Sequence, residues 1–175
     1  MREFTLRNCL VPLLSLLLTQ PAITQIRNIT FGEIPKEDLE MAEYTPDLSA
    51  DAVILDNYAS TSMRSEDKIL SVTDCHIRIK IINTDGLDYA NVELPYWSGD
   101  RITALKAASY NLEDGKIVQN LVDKKSYYRD NTSRYRNILH FSVPNVRPGT
   151  VIEYKYTLES PDYFSLYTFK FQEEI

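Results

Sequence analysis

The sequence predicts an all-β fold: an antiparallel β-sandwich, immunoglobulin-like in outline, with a short N-terminal helical turn. Short segments in which apolar and polar residues alternate recur at roughly even spacing, and almost none has the apolar period of a helix. The 175 residues also include 12 tyrosines, a residue type that is common in strands. Seven or eight strands of this kind favour two packed sheets.

The elements follow in chain order, after a lead-in segment over residues 25–50. Pro35 precedes a helical turn over residues 36–41, because proline and acidic residues suit the first turn of a helix. A polar loop leads to the sandwich domain, residues 51–175, in which Asp114-Gly115 predicts a tight hairpin. The predicted strands are Ala52–Leu55, Thr73–Ile81, Asn91–Leu94, Ile102–Leu112, Lys116–Asp123, Arg134–Val143, Val151–Leu158 and Phe164–Phe171.

Residues 1–24 have the pattern of a secretory signal peptide. Arg2 and Arg7 precede the apolar run Cys9–Leu18, and small residues follow at Ala22 and Thr24. The run is about ten residues long, roughly half of what a helix needs to cross a bilayer. A stop-transfer anchor is the alternative interpretation.

Cleavage after Thr24 would remove two arginines and one glutamate, so the formal charge of −6 would become −7. An acidic chain repels phosphate backbones, which argues against nucleic acid as a partner. Cys75 would be the one remaining cysteine, so no internal disulfide can form. Export without disulfides predicts the periplasm or cell envelope of a Gram-negative bacterium.

Cys75 and His76 suggest a thiol–imidazole pair, but neighbouring residues on a strand project to opposite faces. Cys75 shares its face with Ile77 and Ile79, which predicts a buried, inert thiol, with His76 facing water. His140 could join His76 at a metal only with a third ligand, and none has a recognisable spacing. We therefore expect no catalytic residue, no metal, no cofactor and no enzymatic activity.

Two further motifs have both a functional and a structural interpretation. The oxygen-bearing run over residues 83–88 only loosely resembles a calcium loop, and a β-turn is the simpler prediction. The aromatic residues Tyr96, Trp97, Tyr127 and Tyr128 are candidate ligand contacts, because aromatic rings on an exposed sheet can stack on sugars.

Several stretches in the same order resemble one known family. They are Ala52–Leu55, His76–Asn83, Asp114–Lys116 and, most specifically, Val143–Tyr154. Together they resemble the domain of unknown function at the N-terminus of exported bacterial transglutaminase-like proteins, from about residue 30 onwards. The resemblance implies a β-sandwich followed in cis by a papain-like domain with a Cys-His-Asp triad. None of those triad residues corresponds to a position here, and we expect a fragment whose sandwich is truncated at its C-terminus.

The most specific stretch has a structural interpretation. Pro144 ends a strand, and Pro148-Gly149 forms a tight turn into the next one. Ile152 and Tyr154 are predicted to face the core. Glu153 is predicted to face outward or to pair across strands with a basic residue such as Arg78 or Lys80.

Three functional hypotheses follow. The first is a non-catalytic accessory module that positions or shields a transglutaminase-like domain. The second is a free-standing periplasmic sandwich that binds cell-envelope glycans or peptides. The third, an enzyme in its own right, has the least support in the residues.

Overall fold

A computed structural model describes residues 29–65, 67–131 and 133–161. Within these ranges the chain forms one short α-helix and eight strands. In chain order they are α1 (Lys36–Glu40), β1 (Ala52–Ser65), β2 (Ile69–Ile81), β3 (Asn91–Trp97), β4 (Arg101–Glu113), β5 (Lys116–Leu121), β6 (Tyr128–Asp130), β7 (Arg136–Ser142) and β8 (Val151–Ser160). The predicted strand Phe164–Phe171 lies outside the described residues.

The strands form two antiparallel sheets. The larger sheet has the order β1-β2-β8-β4-β5, and the smaller has the order β3-β7-β6. The main apolar core draws its residues from both sheets, including Ile77 and Ile79 of β2 and Leu139 and Phe141 of β7. The predicted all-β sandwich is confirmed.

The alternation in β2 sets the two faces of the larger sheet. Cys75, Ile77 and Ile79 point into the core, where they are 2%, 8% and 6% exposed. The intervening polar residues must therefore lie on the outer face, because strand side chains alternate. In the register of β2 with β8, Arg78 lies opposite Glu153 on that outer face.

The hairpin between β4 and β5 also matches its prediction. Asp114 and Gly115 both have positive φ, 50° and 75°. Two consecutive residues with positive φ are the requirement of a type I′ turn, whose twist suits a two-residue hairpin.

Several predicted boundaries were wrong. Pro95 lies inside β3 rather than ending it. β3 pairs only with β7 among the described strands, and an edge strand tolerates a residue that lacks an N–H. Residues 85–90 form a 3₁₀ helix rather than a simple β-turn, and Asn83 Oδ1 accepts from the amide of Asp85. Gly86 is required there because an added Cβ would lie 2.3 Å from the carbonyl oxygen of Asp51.

The outer face of the larger sheet is covered by residues 29–41, here called the N-terminal strap. The strap contains α1, at the place predicted for the helical turn. Its residues Ile34 and Leu39 are buried with Tyr110 and Val151 in a second apolar cluster, separate from the main core. Among the described residues, no helix is long and apolar enough to cross a bilayer.

Candidate functional site

The buried polar side chains lie between the larger sheet and the strap. His76 is only 8% exposed, so the prediction that its imidazole faces water was wrong. The strap covers it, and the ring of Phe31 lies 6.2 Å away between centroids. Cys75 is 2% exposed in the core on the opposite face, as the alternation predicted. Burial raises the pKa of its thiol, which disfavours the reactive thiolate.

Glu153 is the centre of this region, and its side chain is completely buried. Its Oε1 accepts from His76 Nε2 at 2.9 Å and from Arg78 Nη2 at 2.7 Å. Its Oε2 accepts from the Tyr110 hydroxyl at 2.8 Å and from the Gly32 amide at 2.8 Å. These five residues are called the Glu153 cluster below. Three strands and the strap therefore converge on one carboxylate.

The contacts of Glu153 assign the tautomer of His76 and favour the ionised carboxylate. A carboxylate accepts only, so His76 Nε2 must carry a proton. Burial alone would raise the pKa of Glu153, but donation from His76, Arg78, Gly32 and Tyr110 holds it below the usual value. Glu153 is therefore ionised at neutral pH and balances the charge of Arg78.

The same contacts limit what Glu153 can do chemically. A carboxylate has about four lone-pair sites, and four donors occupy them. No site is left to take a proton from a substrate or to bind a metal. Burial and the neighbouring carboxylate also raise the pKa of Tyr110, so its phenol stays a donor. These bonds tie β2, β4, β8 and the strap to one carboxylate.

Lys80 is a second buried charge beneath the strap. Its Nζ donates to the carbonyl oxygens of Leu39, at 2.8 Å, and Gly149, at 2.7 Å. Burial lowers its pKa to about 8, although the charge of Asp38 opposes the shift. Of the two basic residues predicted as partners of Glu153, Arg78 is the one that bonds to it, because Lys80 lies opposite Val151 in the register.

The loop between β7 and β8 contains the predicted structural motif. It begins at Pro144, whose carbonyl oxygen accepts from the Ser109 hydroxyl at 2.6 Å. Asn145 and Gly149 have φ of 55° and 93°, in the left-handed region that favours glycine and tolerates asparagine. Thr150 donates to Asn111 Oδ1 at 2.7 Å, and this bond fixes the end of the loop against β4.

The remaining motif residues take the positions expected from alternation. Pro148 lies in the turn before β8, directly ahead of Gly149. Ile152 is fully buried in the main core, and the ring of Tyr154 packs edge-on against Phe141 with centroids 5.8 Å apart.

The four candidate aromatic residues divide between the two faces of the smaller sheet. Tyr96 is 7% exposed in the core, and Tyr127 packs edge-on against Phe141. Trp97 and Tyr128 are 64% and 61% exposed on the outer face. On β7, Trp97 lies opposite Arg136 and Tyr128 lies opposite His140, four residues further along. Because β3 and β6 flank β7, the Cα atoms of Trp97 and Tyr128 are also two strand spacings apart, which gives a separation of roughly 17 Å.

The two histidines cannot share a metal. His140 lies in the smaller sheet, where it stacks on Tyr128 with ring centroids 4.7 Å apart, whereas His76 lies under the strap. His140 Nδ1 is 3.4 Å from Glu93 Oε1, and its Nε2 is buried without a hydrogen-bond partner. Across residues 29–65, 67–131 and 133–161, no group of three or more His, Cys, Asp and Glu could hold a metal ion.

Sequence reasoning missed that Gly32 and Tyr110 belong to the Glu153 cluster. One available signal was the concentration of polar side chains on one face of β2. That face carries, in a row, Asp74, His76, Arg78 and Lys80. The Gly32 contact is made by a main-chain amide, so no side-chain pattern could reveal it.

Comparisons with known proteins give a family but no activity. The search of curated proteins finds no match. One similar solved structure, described as a candidate protease from Parabacteroides distasonis, has 10% identity and a TM-score of 0.46 over 63% of this chain and 23% of that chain. Residues 70–174, more than half of the chain, match the model of DUF3857, a domain of unknown function with a solved structure. The chain therefore belongs to the DUF3857 family.

Proposed function

We propose that the chain is a non-catalytic accessory β-sandwich of an exported transglutaminase-like protein, where it positions or shields a downstream domain. The observation that carries the proposal is that hydrogen-bond donors occupy every acceptor position of the Glu153 carboxylate. Four donors hold it, one of them the main-chain amide of Gly32. Such a group maintains the shape of a module and has no free lone pair for catalysis.

The placement of Cys75 supports the same proposal. Cys75 lies in the main core, and His76 lies on the other face of β2, bonded to Glu153. A thiol nucleophile needs a base within hydrogen-bond reach and a low pKa, whereas burial raises the pKa of this one. The transglutaminase-like partner in cis and the bacterial envelope remain parts of the proposal that follow from the sequence resemblance and the signal-like N-terminus.

The test is to compare a transglutaminase-like domain from a relative, alone and fused after this chain, for thermal stability and for acyl transfer on a glutaminyl peptide. We expect fusion to raise the stability or solubility of that domain. Cys75→Ala should keep this benefit. Acyl transfer by the isolated chain, abolished by Cys75→Ala, would contradict the proposal.

A second candidate function is the binding of an envelope glycan or peptide. The observation that favours it is the exposure of Trp97 and Tyr128 on one outer face, with Tyr128 held flat against His140. A ring fixed in this way can stack on a sugar with little loss of side-chain entropy. The roughly 17 Å between the two residues would suit an extended oligosaccharide rather than a single sugar.

Titration with peptidoglycan and polysaccharide fragments tests the second candidate. Trp97→Ala and Tyr128→Ala should each weaken binding by about fivefold, since aromatic stacking contributes ~1 kcal/mol. Tyr58→Ala is the matched control, because Tyr58 is 46% exposed but belongs to the other sheet. Equal binding by all three variants would exclude this face.

A further inference from the structure

Three charged residues of the larger sheet form hydrogen bonds with the main chain of the strap, and one strap side chain, Asp38, also lies 4.0 Å from Arg78 Nη1. Glu153 Oε2 accepts from the Gly32 amide at 2.8 Å. Arg78 Nη2 donates to the Glu33 carbonyl oxygen at 3.0 Å, and Lys80 Nζ donates to the Leu39 carbonyl oxygen at 2.8 Å. A peptide of different sequence could present the same three main-chain atoms.

Two apolar side chains anchor the strap between these polar contacts. Ile34 and Leu39 are 7% and 5% exposed in the second apolar cluster. Gly32 lies in a turn at the start of the strap, where its φ is 96° and the Glu33 amide donates to the Thr30 carbonyl oxygen. The recognised feature is thus a glycine turn followed by apolar residues five positions apart.

The connection from the strap to β1 contributes little to holding it. Residues 42–49 are all exposed except Tyr44, which is partly exposed. The Asp47 amide donates to the Tyr44 carbonyl oxygen, and the Asp47 side chain accepts from the Ser49 amide. These bonds join residues within the connection and do not reach the strap. The strap therefore stays in place through its own contacts with the sheet.

The chemistry of the covered face suits exposure to water as well as burial. Arg78, Lys80, His76 and Glu153 all lie on it, each at most 8% exposed. Apolar side chains of similar volume would stabilise a permanently covered face at least as well as buried ion pairs do. Ionisable side chains, by contrast, allow the face to be solvated when the strap is absent.

We propose that the outer face of the larger sheet is a peptide-binding groove, and that residues 29–41 are its resident, detachable ligand. Its ligands are peptides with a glycine turn that donates an N–H to Glu153, followed by two apolar side chains at the spacing of Ile34 and Leu39. This proposal does not depend on the accessory function.

The test uses the full chain with a specific protease site replacing residues 44–47. After cleavage, an excess of a dye-labelled synthetic peptide with the sequence of residues 29–41 is added, and its binding is followed by fluorescence anisotropy. We expect saturable uptake, with release of the cleaved strap detected by mass spectrometry. Uptake should occur while the circular dichroism spectrum of the β-sandwich is retained.

Two variant peptides show which contacts matter. Gly32→Pro removes the N–H that Glu153 accepts and also excludes the φ of 96°, so it should weaken binding at least about tenfold, the effect expected from losing a hydrogen bond to a charged group alone. Lys36→Ala is the control, since Lys36 is about half exposed and pairs with Glu40 along the helix, and it should bind within about threefold of the parent peptide.

Two results would overturn the proposal. One is no uptake of the labelled peptide by the cleaved protein at any concentration. The other is uptake only with loss of the β spectrum, which would make the strap an inseparable part of the core. Equal binding of the parent and Gly32→Pro peptides would likewise overturn the assigned contact with Glu153.

Discussion

Replacing Glu153 with glutamine tests the central cluster with almost no change in volume. The amide group has one oxygen and one NH₂, whereas the carboxylate presents two acceptors. If the NH₂ takes the place of Oε1, it faces His76 and Arg78; if it takes the place of Oε2, it faces Gly32 and Tyr110. In either orientation at least one buried N–H donor loses its acceptor.

The magnitude follows from the burial of the pair. Arg78 and Glu153 side chains are 2% and 0% exposed, with Nη2 and Oε1 2.7 Å apart. Breaking a buried ion pair by changing one partner costs about 3–5 kcal/mol, because the other charge remains buried. At a urea dependence of ~2 kcal/mol per molar, the unfolding midpoint should fall by about 1.5–2.5 M.

Urea unfolding followed by tyrosine and tryptophan fluorescence measures this shift. Glu113→Gln is the matched control, because the Glu113–Arg147 pair is 3.0 Å apart with side chains 45% and 55% exposed. An exposed pair of this kind contributes at most about 1 kcal/mol. If Glu153→Gln shifted the midpoint no more than the control does, the cluster would not stabilise the fold.

Three further predictions follow from other buried or constrained positions. The pKa of Lys80 is lowered to about 8 from 10.5, so the folded chain holds fewer protons than the unfolded one between these values, and its stability rises with pH there. Lys80→Met lacks this titrating group and serves as the reference. The free energy of unfolding of the wild type minus that of Lys80→Met should rise by about 1 kcal/mol from pH 8 to pH 9. If this difference stayed constant over that range, the burial of the ammonium would be contradicted. Cys75 should react with a thiol reagent at least about a hundredfold more slowly in the native protein than in urea, since it is 2% exposed with a raised pKa, and comparable rates would place it at the surface. Gly149→Ala should destabilise the chain by about 1 kcal/mol because alanine is strained at a φ of 93°, although an added Cβ meets no atom within 4 Å. Gly99→Ala, at a glycine without positive φ, is the control and should have almost no effect. Equal melting temperatures for the two variants would refute the strain at Gly149.

The two faces of β2 and β8 were predictable from alternation, and so was the hairpin at Asp114-Gly115. A period of two assigns each residue to a side of the sheet, and an aspartate–glycine pair between two strands suits a type I′ turn. Alternation placed Glu153 on the same face as Arg78 and Lys80 and left both as possible partners, and only the register of β2 with β8 selects Arg78.

The burial of His76 and Glu153 was not predictable in the same way. Alternation tells which residues share a face but not what covers that face. The cover here is the strap, held by the Gly32 amide and by the carbonyl oxygens of Glu33 and Leu39, atoms that nearly every residue has. A polar strand face was therefore interpreted as solvent-facing when the strap covers it.

Edge positions explain the errors at Pro95 and β6. Pro95 ends a strand only if a neighbour needs its N–H, and on β3 that side is unpaired among the described strands. The three-residue strand β6 has no apolar alternation, since all its residues are exposed, and only its pairing with β7 identifies it.

Hydrogen exchange at the Gly32 amide tests the central claim most directly. If that N–H donates to a buried, ionised Glu153, its exchange at pH 7 should be at least about a hundredfold slower than that of an unstructured amide. Leu48, 72% exposed in the connection to β1, provides the internal reference and should exchange freely. Exchange of Gly32 as fast as that of Leu48 would show that the carboxylate does not hold the strap.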